Sequence, residues 1–143
     1  MSVKQISVFL ENKAGALSEM TQVLADNNID MRSFSLAEAS DFGIARVIVD
    51  DVYKTTTVLK DAGYVHSVSE ALAVAIPDVP GGLNHVLGIL KQLDINVEYM
   101  YAFLGAKKDA AYMIMKTNDP ARVAAALISK GIRLAEQEEL SSL

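Results

Sequence analysis

Two short polar turns carry the residue types from which a site for a small zwitterion could be made. The first is Glu11-Asn12-Lys13-Ala14-Gly15-Ala16-Leu17, and Pro77-Asp78-Val79-Pro80-Gly81-Gly82-Leu83 is its counterpart in the second half of the chain. Each follows an apolar run and opens an amphipathic one. A free amino acid needs donors for its carboxylate and an acceptor for its ammonium. The amides at a helix N-terminus, reached closely where Gly15 or Gly81 has no side chain, suit the carboxylate. Asn12, Asp30, Asp78 and Asn96 are the candidate acceptors. The copies exchange amide and acid, Asn12 against Asp78 and Asp30 against Asn96, which suggests two sites of equal charge or one interface site built from two halves. The strand after each first helix would line a side-chain pocket, through Met31, Ser33 and Ser35 in one copy and Val97, Tyr99 and Tyr101 in the other. The bulkier second set could close its pocket.

Plainer readings stand beside these. Gly15 and Gly81 can serve only to start helices, and Asn12 and Asp78 only to cap turns. Tyr99, Tyr101 and Phe103 at a period of two fit a core or dimer contact as well as a ligand contact. His66 and His85 stand alone, with no second ligand at metal spacing, so neither a metal nor a cofactor is expected. Glu136-Gln137-Glu138-Glu139 reads as a solvated face or a frayed end.

The elements that must position these residues follow from periodicity. Ile6 to Leu10 is a strand with Ile6, Val8 and Leu10 on one face and Phe9 on the other. Leu17, Met20, Val23 and Leu24 mark a helix over Ala16 to Asn27. Ile29 to Ala37 and Ile44 to Asp50 form a hairpin. Asp51 to Ala62 is a helix despite three consecutive threonines, ending at Gly63, and Tyr64 to Ser69 is a fourth strand. The second half repeats the order. Strands over Leu72 to Ile76, Ile95 to Leu104, Ala110 to Lys116 and Ile132 to Glu136 alternate with a helix from Leu83 to Leu93 and another that opens at Asp119-Pro120 and stops at Gly131. The turn Gly105-Ala106-Lys107-Lys108-Asp109 joins the second and third of these strands, and Gln137 to Leu143 is a polar tail. Sliding the chain along itself until Gly15 meets Gly81 also aligns Val8 with Val74, Leu17 with Leu83, Leu24 with Leu90, Ile29 with Ile95, Ala45 with Ala111 and Ile48 with Ile114. After the third strand the second copy is two residues longer.

Two copies of βαββαβ imply an α+β fold of two tandem ferredoxin-like modules, residues 1–69 and 70–143. Each would be an antiparallel four-stranded sheet with two helices on one face. Phe9, Phe34 and Leu36 in the first module, and Ala73, Ala75, Met100, Ala102 and Leu104 in the second, would make the uncovered faces apolar. That predicts a homodimer or burial of one face on another.

These turns and strand openings resemble the ACT domain family, small amino-acid-sensing regulatory modules, as two tandem copies across nearly the whole chain. The residues carrying the likeness are Asn12 with Gly15-Ala16-Leu17, Asp78 to Leu83, Asn28-Ile29-Asp30-Met31 and Asp94-Ile95-Asn96-Val97. Ala14 departs from the proline usual before the glycine, which the second copy keeps as Pro80. The likeness is to free-standing tandem members. It implies a non-catalytic amino-acid sensor with ligand contacts at Asn12, Ala14, Gly15, Ala16, Leu17, Asp30, Met31 and Ser33, and at Asp78, Pro80, Gly81, Gly82, Leu83, Asn96, Val97 and Tyr99.

The composition narrows the alternatives. The chain has 143 residues, no cysteine, a net charge of −5 and scattered basic residues. Thiol chemistry and zinc–thiolate sites are excluded, the cytoplasm is the expected compartment, and nucleic acid and anionic membranes are unexpected partners. An RNA-binding module shares the βαββαβ order and could stack bases on Tyr99 and Tyr101, but it needs basic surroundings. No Ser/His/Asp set, lysine pocket or phosphate loop argues for an enzyme. The rival within the same fold is a regulatory subunit that docks on an enzyme of amino-acid metabolism through its apolar sheet face, without a ligand of its own.

Overall fold

The computed structural model describes residues 2–103 and 110–142. The expected turn at 105–109 and the expected apolar Leu104 lie outside the described residues. The chain divides into two compact units, Lys4–Ser69 and Glu70–Ser141, the latter also taking the start of the chain up to Val3.

The first unit contains β1 (Val3–Glu11), α1 (Ala16–Asp26), β2 (Met31–Ala39), β3 (Phe42–Val49) and α2 (Val52–Asp61), and it ends in the opening residues of β4 (His66–Pro77). Its strand order is β2-β3-β1-β4, the ferredoxin-like arrangement. Ile6 pairs with Val47, Val8 with Ala45 and Leu10 with Gly43, so one face of β1 and β3 enters the core together with Met20 and Leu24 of α1 and Leu59 of α2. The threonine-rich helix forms because Asp51 accepts from the Lys54 amide. The hydroxyls of Thr55, Thr56 and Thr57 donate back to carbonyls of Asp51 and Tyr53, which satisfies groups that would otherwise favour other backbone shapes.

The second unit takes the rest of β4, then α3 (Gly82–Gln92), β5 (Val97–Ala102), β6 (Ala110–Thr117), α4 (Pro120–Ser129) and α5 (Gln137–Ser142). Its strand order is β4-β6-β5. The two expected strands Tyr64 to Ser69 and Leu72 to Ile76 are one continuous strand, because Glu70 and Ala71 keep extended geometry where no glycine or proline breaks it. The expected last strand, Ile132 to Glu136, is reduced to a single bridge of Leu134 to Val74. Amides of Ala75 and Ala135 bond the Arg133 and Ala73 carbonyls around that bridge. The polar tail turns into α5, with Leu140 fully buried. Val86, Leu90, Val123 and Leu127 pack on Leu72, Val74, Ile76 and Met115.

A β-bulge interrupts each second strand, between Met31 and Ser33 and again at the matching place between Val97 and Tyr99. A bulge adds one residue to one strand and so exchanges the faces that follow it. This overturns the expected alternation. Phe34 and Met31 pack on the helix-covered core, and Leu36 faces the same way opposite Ala45. Ser33 and Ser35 take the other face. In the second unit Met100 packs on the helices, while Tyr99 and Tyr101 oppose Lys116 and Ile114 on the other face. That face of the second unit is apolar, but through Tyr101, Phe103, Tyr112 and Ile114 with Ala73 and Ala75. In the first unit it is mixed. Gln5, Ser7 and Ser33 are buried there, Gln5 donates to the Ser69 hydroxyl at 3.1 Å, and half-exposed Phe9 and Phe42 lie at its far end.

The pairing also corrects the repeat. Leu72 pairs with Met115 where Ile6 pairs with Val47, so β6 is offset from β3 by more than the spacing that relates Ile6 to Leu72 and Gly15 to Gly81. The extra residues therefore precede β6 and do not follow it. Ala45 corresponds to Met113 and Ile48 to Lys116, and the sequence identities with Ala111 and Ile114 are coincidental.

Candidate functional site

Both turns fold alike. The Lys13 amide bonds the Glu11 carbonyl at 2.9 Å, Ala16 bonds Lys13 at 3.3 Å and Glu19 bonds Gly15 at 2.9 Å. In the second turn Val79 bonds Pro77 at 2.9 Å, Gly82 bonds Val79 at 3.0 Å and His85 bonds Gly81 at 2.9 Å. Gly15 and Gly81 precede α1 and α3 with φ of +86° and +82°. Glycine is needed at both for that left-handed backbone and not for want of room, since a Cβ there would meet nothing within 4 Å. The next residue separates the copies. Ala16 carries its Cβ at the start of α1, whereas a Cβ on Gly82 would lie 2.1 Å from the Pro77 carbonyl oxygen. The second turn is therefore pressed against the end of β4.

Two clefts flank the start of α1. One, of about 80 Å³, lies between the turn and the β2–β3 hairpin and includes Asn12, Ala16, Leu17, Leu36 and Glu38 in its lining. The other, of about 230 Å³, lies toward the beginning of β4 and includes Phe9, Glu11, Lys13, Glu19 and Tyr64. Asn12 fixes the turn to the hairpin, its side-chain amide donating to the Ser40 carbonyl at 3.1 Å and its backbone amide to Asp41 at 3.1 Å. Ala14 is exposed at the crest, and Leu17 is partly buried against the core. Lys13 and Glu11 pair at 3.1 Å, both largely solvated. Ala16 lines both clefts and opens α1, whose first turn, like that of any helix, leaves amides without intrahelical partners.

The remaining sequence-predicted residues do not join them. β2 begins at Met31 opposite Val49 and ends at Ala39 opposite Phe42, which also faces Glu11. At ~3.3 Å per residue, Met31 is about 26 Å along the sheet from the Gly15 turn. Asp30, Met31 and Ser33 therefore belong to the opposite end of the unit, and a single-unit site cannot combine Asp30 with Gly15. Asp30 instead holds the entrance to β2: its amide donates to Asp50 Oδ1 at 3.1 Å and its carboxylate lies 3.4 Å from Arg32. Asn96 repeats the arrangement, its amide donating to Asn118 Oδ1 at 3.2 Å. Val97 packs on the helix core, and Tyr99 stacks on Tyr101 with centroids 6.5 Å apart, both far from Gly81 along the sheet by the same pairing logic. At the second turn Asp78, Pro80 and Gly81 are exposed, with Leu83 just inside α3.

Sequence reasoning missed Glu19, Leu36, Glu38 and the Gly63–Val65 wall. Only hairpin pairing and the passage from α2 into β4 bring them to the turn, although a glutamate in the first turn of a helix was a readable signal.

The family of ACT domain pairs matches residues 1–143. The chain belongs to that family. An ACT domain pair is a regulatory module and not a catalytic one, in keeping with its two ferredoxin-like copies. The chain is similar to a protein of known crystal structure from Bacteroides thetaiotaomicron, with 36% identity, coverage of 100% of this chain and 98% of the other, and a TM-score of 0.92. It shares its fold with the ligand-free regulatory subunit of aspartate kinase from Thermus thermophilus, at 14% identity, 88% and 91% coverage and a TM-score of 0.65. The corresponding subunit from Thermus flavus gives 13%, 88% and 90%, and 0.61. No curated protein matches the chain significantly. Among the described residues no helix is long and apolar enough to cross a membrane.

Proposed function

We propose that this ACT domain pair is an amino-acid-binding regulatory protein whose ligand sits at the β1–α1 turn of the first unit. The observation that carries this is the contrast between the turns: α1 begins beside open clefts, whereas Gly82 is packed on the Pro77 carbonyl. The ligand carboxylate would meet the first-turn amides of α1. Its ammonium would meet the acceptors around Asn12, with Glu11 and Glu38 in place of Asp30. Binding would favour one arrangement of the protein over another, and an enzyme of amino-acid metabolism would read that difference in the cytoplasm. The half-exposed Phe9–Phe42 pair is the surface on which we place a homodimer contact.

The test is a thermal-shift screen of the twenty amino acids. A ligand at ~100 times its dissociation constant adds about 2.7 kcal/mol, a shift of roughly 5–11 °C for a chain of this length. Asn12→Ala should shrink the shift and Asp78→Ala should leave it. If no amino acid moves the melting temperature, the reading fails.

A further inference from the structure

We infer that the ligand of the first turn is a basic amino acid, one whose side chain joins an apolar stem to a cationic head. This rests on the reading above that an amino acid occupies the turn, and it adds which class.

The larger cleft is built for such a side chain. Phe9, Leu10, Ala16, Tyr64 and Val65 give it an apolar wall, and Glu11 and Glu19 set two carboxylates at its rim. Lys13 is the one cationic side chain among its described lining residues, and it is already paired with Glu11. The zwitterionic head group of an amino acid is neutral, so Glu19 keeps its charge after the head group is placed. Gly63, on the same wall, directly follows the C-terminal turn of α2, the negative end of that helix dipole. Lys60 in that last turn is exposed and does not line the cleft. Tyr64 also offers an aromatic ring to a cation. Methylenes of the stem would cover the apolar wall while the head stays at the wet rim, as long basic side chains do on protein surfaces. A neutral aliphatic side chain would fill the wall but leave Glu19 beside it with less water and no partner. An acidic one would be repelled. The smaller cleft, about 80 Å³ against about 230 Å³, is the tighter of the two, and a long side chain is better accommodated toward Gly63.

Calorimetric titration of the full chain with lysine, norleucine and glutamate separates the alternatives, because norleucine keeps the stem and loses the charge. Lysine should bind about fivefold more tightly than norleucine, the scale of an exposed ion pair, and glutamate should not bind detectably. Glu19→Gln, a change on the exposed face of α1, should bring lysine and norleucine together, as should 1 M salt. Norleucine or another neutral amino acid binding as tightly as lysine overturns the inference while leaving the sensor reading intact, and so does a lysine preference that survives both Glu19→Gln and Glu11→Gln. Failure of every amino acid to bind overturns both.

Discussion

The β1–α1 and β4–α3 turns share three backbone hydrogen bonds and a left-handed glycine, and they part at the first residue of the helix. Ala16 brings a buried Cβ to the start of α1, while at Gly82 the absence of a Cβ lets the Pro77 carbonyl come close to α3. Repeated backbone hydrogen bonds therefore do not imply repeated packing. A single methyl group at the first helical position marks the difference between the two turns: Ala16 carries it, and at Gly82 the Pro77 carbonyl occupies its place.

The contrast can be broken most forcefully at that residue. Gly82→Ala must displace backbone rather than a flexible side chain, so urea unfolding should show a loss of about 1–3 kcal/mol. Ala16→Gly should cost no more than about 1 kcal/mol; equal losses at both positions would erase the asymmetry. Gly15→Ala and Gly81→Ala probe what the turns share. Each forces a Cβ into the left-handed region and should cost about 1–2 kcal/mol, with the two values alike. The helix caps extend the comparison, since Asp51 accepts from Lys54 at 3.0 Å and Asp119 from Arg122 at 3.2 Å. Asp51→Ala and Asp119→Ala should each lower stability by about 1 kcal/mol. The smallest effect has the opposite sign. Thr117, opposite Val97, stands where the first copy has Val49 opposite Met31, and its buried hydroxyl has no hydrogen-bond partner among the described residues. Thr117→Val should raise the stability read from the denaturant midpoint by roughly 0.5–1 kcal/mol, whereas a loss would show that the hydroxyl is satisfied after all.

Much of this is legible in the chain because the cues are local. Ile6, Val8 and Leu10 alternate, Leu17, Met20 and Leu24 recur at helical spacing, and Asp119-Pro120 announces α4. What escapes is non-local. The bulges after Met31 and Val97 carry no compositional mark, yet each inverts the faces of its strand, which is why alternation alone puts Phe34 and Met100 on the wrong side. Polarity and proximity to α1 join Asp30 to Asn12, but pairing across β3 shows that they occupy opposite ends of the sheet. The fusion of two strands into β4 is hidden by Glu70, a polar residue that looks like a linker and lies in a strand.

The helix α5 is only six residues long, far below the length at which a helix holds itself in water. It persists through fully buried Leu140 and the pairing of Glu139 with Arg133, whose guanidinium also donates to the Tyr112 hydroxyl at 2.6 Å and whose pKa is raised chiefly by the Glu139 hydrogen bond. Its helicity is thus borrowed from the sheet beneath Tyr112. The Leu140 amide, bonded to the Glu136 carbonyl at 3.2 Å, becomes a built-in gauge: its exchange with deuterated water reports how firmly that sheet face is held, with no added label.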